Sequence, residues 1–175
     1  MSGLIVIACL LMAAGAQAGS GAQIVSALNQ QRVANGLPAG IAERPDWSAN
    51  CALHNSYMAL TGTFGHVEIA GNPHFTVGGD WAASRSVLAT GGDWGVENPF
   101  ETAPIHLANL LNPALAEMGA DAGSNFICAT TIPGTTRTPP AGVVGYSYPG
   151  DGVDGVAPSE RASESPYVPG DFVGL

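Results

Sequence analysis

The chain has 175 residues, five arginines, no lysine and fourteen carboxylates, for a formal net charge of −9. Nucleic acid and anionic membrane surfaces both select for a basic patch, so this balance excludes them as partners. The acid excess reads as solubility and codon usage, without pointing to a specific cationic partner.

Leu4 to Ala14 is an almost unbroken apolar run, too short to span a bilayer as a helix. It ends in Ala16-Gln17-Ala18, the small-x-small pattern at which a secretion leader is cleaved. Residues 1–18 are therefore expected to be a signal peptide, and the protein is expected to be secreted. The start carries no basic residue, which a misplaced start codon would explain. Val6-Ile7-Ala8-Cys9 offers lipidation at Cys9 as the alternative mode of export. No second apolar stretch reaches membrane-spanning length. Cys51 and Cys128 remain in the exported chain, and two cysteines in that setting predict a disulfide. The bridge would close a loop of about 77 residues, stabilising the fold by about 3–4 kcal/mol.

Gly21 to Asn35 predicts a helix, with Ile24, Val25 and Leu28 on one face and Gln30, Gln31 and Arg32 toward water. Gly36-Leu37-Pro38 stops it. A second helix is predicted from Asp46, read as its N-cap, to about Leu60, with Gly62 ending it. Residues 62–79 show no period and predict an ordered loop holding His66, Glu68 and His74. Asp80 to Leu88 predicts a short helix or turn, and Gly91 to Pro99 a turn-rich loop. Pro104 to Leu111 predicts a helix opened by proline and broken by Asn112-Pro113. Leu115–Ala120 and Asn125–Ile132 predict strands. Beyond Gly134 glycine and proline make up 14 of 42 residues, so residues 134–175 predict an extended tail or spacer to a further module, with one strand near Val143–Tyr148.

The specific signal is a combination of segments in a fixed order, with no internal repeat. Leu28-Asn29-x-x-Arg32-x-x-x-Gly36-Leu37-Pro38 is followed by Trp47-Ser-x-x-Cys51-Ala-x-His54-x-x-Tyr57-Met58 and by Gly65-His66-x-Glu68. Asp93-Trp94-x-x-Glu97-Asn98-Pro99-Phe100-Glu101 then leads through His106 to Leu110-Leu111-Asn112-Pro113 and Met118-Gly119. This string resembles a divergent CAP (SCP-like) domain, the superfamily of cysteine-rich secretory proteins, antigen 5 and pathogenesis-related proteins, in its bacterial exported branch. The resemblance implies an α+β fold over residues 19–133, an α-β-α sandwich with a small antiparallel sheet between helices. It implies an open cleft with two histidines and two acids. The histidines map onto His66 and His106. Asp80 stands in for one acid and Glu101 for the other, with Glu97 a further carboxylate late in the order. It also implies lipid or sterol binding, or an extracellular protein partner. Two converging imidazoles with water would hold a labile divalent metal such as zinc, although no cofactor is required. A nearby carboxylate would orient an imidazole or take a proton from bound water.

Other residues have plainer readings. Cys51 and His54 share a helix face, so a Cys–His nucleophile has to be weighed against the disulfide. Trp81 and Trp94 flank the cleft loops as packing residues or as groove lining. His74 is expected at the surface. Asp151 to Gly155 lacks the length and terminal Glu of a calcium loop and reads as a turn. The leading expectation is a non-catalytic extracellular binding module. The alternatives are a metal-assisted hydrolase using His66, His106 and a carboxylate, and a structural cell-surface module.

Overall fold

The computed structural model describes residues 20–91, 94, 98–138 and 146–156. The leader with Cys9, the Glu97 carboxylate, and Val143 to Gly145 of the predicted late strand lie outside the described residues.

Helix α1 (Gly21–Ala34) starts on a capping box, in which Ser20 and Gln23 exchange side-chain to backbone hydrogen bonds. It ends where Gly36 takes φ +70° and the Leu37 N–H reaches back to the Arg32 carbonyl. Strand β1 (Ala42–Glu43) leads into α2 (Pro45–Thr61). The N-cap of α2 is Arg44, with Pro45 opening the first turn, so the predicted cap Asp46 lies inside the helix. Gly62 closes α2 in the left-handed conformation, as its position predicts.

The stretch read as one helix or turn over Asp80–Leu88 divides in two. Helix α3 (Val77–Ala83) is capped by the Thr76 hydroxyl, and β2 (Ser86–Thr90) follows. Val87 and Leu88 point to opposite faces of the sheet, which only an extended chain allows. Helix α4 (Pro104–Leu111) forms over the residues expected. Strands β3 (Glu117–Gly123) and β4 (Phe126–Thr130) make a hairpin through Ser124 and Asn125, both at positive φ, as a two-residue hairpin turn requires.

The sheet order is β1-β3-β4-β2. β2, β4 and β3 are antiparallel neighbours, whereas β1 runs parallel to β3. The sheet is therefore mixed, with a two-residue parallel edge that has too little apolar pattern to be read from the sequence. Its two faces are covered by different helices. Ile127 and Ala129 of β4 join Ile24, Val25 and Leu28 of α1 and Leu107, Leu110 and Leu111 of α4. Cys128 between them points the other way, to Cys51 and Met58 of α2 and Ala82 of α3. This is an α-β-α sandwich. Burying one such aliphatic side chain is worth about 1.5–3 kcal/mol.

On the α2 face the helix lies almost on the strand, since a Cβ at Gly119 would overlap Trp47 and the Ser48 backbone. The Cys51–Cys128 disulfide ties this layer together, with Cα atoms 5.4 Å apart.

Arg32, expected at the surface, is fully buried. Its Nε donates to the Pro38 carbonyl and its Nη1 to the carbonyls of Leu110 and Asn112. The guanidinium thus serves the orphan carbonyls at the end of α4, which a helical wheel of α1 alone cannot show. Burial pushes it down to about 10, with Arg137 adding to the shift and Tyr146 opposing it. Among the described residues no helix is long and apolar enough to cross a membrane.

Candidate functional site

The four candidate cleft residues are held in two local frames. The first joins His66 and Asp80 at the corner between α3 and the loop before it, which ends at Thr76 because the last three residues of the predicted 62–79 loop are helical. His66 is exposed, and its Nδ1 donates to the Ala83 carbonyl at 2.8 Å. A carbonyl only accepts, so a proton sits on Nδ1, which in the neutral ring leaves the lone pair on Nε2. Asp80 accepts the Glu68 N–H at 3.1 Å, tying the loop to the first turn of α3.

Beneath this corner lies a pair not anticipated as a site. His54 of α2 and Glu68 of the loop are both buried, with Nδ1 and Oε1 3.0 Å apart. His54 Nε2 donates to the Gly65 carbonyl at 2.9 Å, and Glu68 Oε2 accepts the Thr76 N–H at 2.9 Å. The Tyr57 hydroxyl accepts the Ile69 N–H. The loop is therefore pinned to α2 immediately before and after His66. Gly79 is where α3 meets this pair, since a Cβ there would overlap the Glu68 carboxylate. The signal was present in Gly65-His66-x-Glu68, because Glu68 is the only acid between Asp46 and Asp80. The Cys–His nucleophile is overturned: Cys51 is in the disulfide and both His54 nitrogens are engaged.

The second frame joins Glu101 and His106 around α4. His106 stacks on Phe100, with ring centroids 5.7 Å apart, and Phe100 meets Trp94 edge-on. Trp94 is thus a core residue. Trp81 also packs, against Trp47, with Arg85 over its ring. Glu101 accepts a hydrogen bond from the Tyr148 hydroxyl, which in turn accepts from Gln31. Asn98 donates to the same Gln31 side chain, completing a chain of four residues. Burial, then the Glu101 carboxylate, pushes the Tyr148 hydroxyl well above the ordinary tyrosine range.

The described part of the tail, residues 146–156, lies back on the domain, with the Gly150 N–H donating to Asn35 Oδ1 at 2.7 Å. The predicted turn at Asp151–Gly155 is seen in the Val153 N–H bond to Gly150. Between this segment and α4 is a pocket of about 740 Å³. Leu37, Pro104, Leu107, Leu111 and Val156 give it apolar walls, and Tyr146, Tyr148 and Glu101 supply polar groups. Its volume suits a small organic ligand, and so does its mostly apolar lining with few polar groups.

No group of three or more His, Cys, Asp or Glu side chains among the described residues is arranged to hold a metal ion. A metal would depend on His66 and His106 with water, and in the neutral His66 ring the Nδ1–Ala83 bond leaves Nε2 for ligation.

No family model matches the chain, and no curated protein matches it. A search of solved structures finds the crystal structure of an extracellular protein containing a SCP domain from Bacillus anthracis. The match has a TM-score of 0.50 and 21% identity, and covers 63% of this chain. The chain spans only 39% of that structure's length. At this identity the likeness is one of fold: the chain has a divergent CAP-like fold.

Proposed function

We propose that this divergent CAP-like fold serves as an exported, non-catalytic binding module that takes an apolar small molecule, of the lipid or sterol kind, into the pocket between α4 and residues 146–156. The observation that carries the reading is the pocket itself. It combines an aliphatic wall from Leu107, Leu111 and Val156 with hydrogen-bonding groups on Glu101 and Tyr148. Export is supported by the leader pattern, by the Cys51–Cys128 disulfide, and by the extracellular protein that shares the fold.

The test is a ligand-induced thermal shift. The full chain is titrated with octyl glucoside below its micelle concentration, beside Ala108→Trp. Ala108 is exposed and lines the pocket, so the indole fills the cavity without disturbing the core. A rise in Tm in the parent protein and none in the variant is expected. Equal shifts in both proteins would move binding elsewhere.

A second reading, metal-assisted hydrolysis through His66 and His106, is favoured by the His66 tautomer, which offers Nε2 to a metal. It predicts heat on titration with Zn²⁺, lost in His66→Ala and in His106→Ala. A flat titration would remove it.

A further inference from the structure

We infer that the pocket beside α4 selects a cationic amphiphile, a positively charged head on an apolar body; this rests on the binding reading above. Among the described residues Glu101 is the one charged side chain that lines the pocket. The segment walling it, residues 146–156, carries Asp151 and Asp154 and no cation. The buried Arg32 does not line the pocket; its Nε and Nη1 donate to main-chain carbonyls, and its electrostatic neighbours are Arg137 and Tyr146. Tyr148 holds one oxygen of Glu101, which fixes the carboxylate at the pocket wall for the ligand's charge. Two tyrosine rings line the same cavity, and a desolvated cation gains further from an aromatic face. An anionic head would instead meet a carboxylate in a site with few compensating donors. The inference rests on this placement of groups and not on the acidic composition of the whole chain.

The test uses three ligands with one tail: octyltrimethylammonium, octyl glucoside and octyl sulfate, each below its micelle concentration and titrated calorimetrically into the full chain. The ammonium is expected to bind at least tenfold tighter than the glucoside, with the sulfate weakest. Glu101→Gln, which keeps an acceptor for Tyr148, is expected to bring the ammonium-to-glucoside ratio toward one. Sulfate or glucoside binding as tightly as the ammonium overturns the cation preference and leaves the binding reading standing. No binding by any of the three overturns both. If the variant does not fold, the headgroup series in the parent protein still decides.

Discussion

Tyr148 donates its hydroxyl hydrogen to Glu101, and this bond ties the 146–156 segment to the turn that leads into α4. Gln31 of α1 donates to the same hydroxyl, so the contact joins the tail to α1 as well as to the turn before α4. Tyr148→Phe keeps the ring but leaves Glu101 and Gln31 without their shared partner. The expected loss is about 1–2 kcal/mol by chemical denaturation. Limited proteolysis should cut the variant faster between residues 138 and 156. An unchanged cleavage rate would mean that the Gly150–Asn35 bond alone holds the segment.

The His54–Glu68 pair is expected to control the loop that carries His66. His54→Ala leaves a buried carboxylate without its counterpart, at an expected cost of about 3–5 kcal/mol. Glu68→Gln is milder, because one amide oxygen still accepts from Thr76 while the NH₂ donates to a neutral His54 Nδ1. Amide exchange over residues 65–76 is the discriminating measurement. Both variants should raise it, His54→Ala more, while α1 and α4 stay protected. Uniform exchange across the chain would make the pair a general core element instead.

The disulfide prediction follows from loop length. Cys51 and Cys128 are 77 residues apart, and closing such a loop is worth about 4 kcal/mol in the chain-entropy model. Cys51→Ala with Cys128→Ala should lose that amount, and the leader-free protein should show no thiol before reduction. A reactive thiol in the native protein would contradict the bridge.

Much of the architecture was legible because it rests on local periodicity. Ile24, Val25 and Leu28 mark α1 at helical spacing, and Gly62 and Pro104 punctuate α2 and α4. The apolar run within Asn125–Ile132 marks a strand, while its two faces are assigned by the packing of Ile127 and Ala129 against one layer and Cys128 against the other. What escaped depends on contacts distant in sequence. Arg32 looks solvent-facing until the end of α4 presents its carbonyls, 78 and 80 residues away. Strand β1 has two residues and exists only because β3 pairs with it. At the site, the sequence marked His66, Asp80, Glu101 and His106 individually. It could not say that Glu101 would be held by Tyr148, because residues 134–175 carry the glycine and proline content of a spacer. Tyr146 and Tyr148 were the only hint that part of that segment packs against the domain.

The last prediction concerns Asp121 on β3, whose carboxyl is raised above its ordinary value of 3.8 by burial, partly opposed by the hydrogen bond from Asn55. The folded state therefore binds this proton more tightly than the unfolded chain does. The group is least costly below pH 3.8. Stability falls as the pH rises from there through the higher folded value, and is level beyond it. Asp121→Asn removes the titration and still offers an oxygen to Asn55 Nδ2. Denaturation measured from pH 3 to pH 7 should thus show the variant gaining on the parent as the pH rises, with the gap constant once the carboxyl is ionised. The group is only about half buried, so the gain is expected to be modest. A gap that closes with rising pH would mean that the Asn55 bond to the carboxylate outweighs its burial, reversing the sign of the shift.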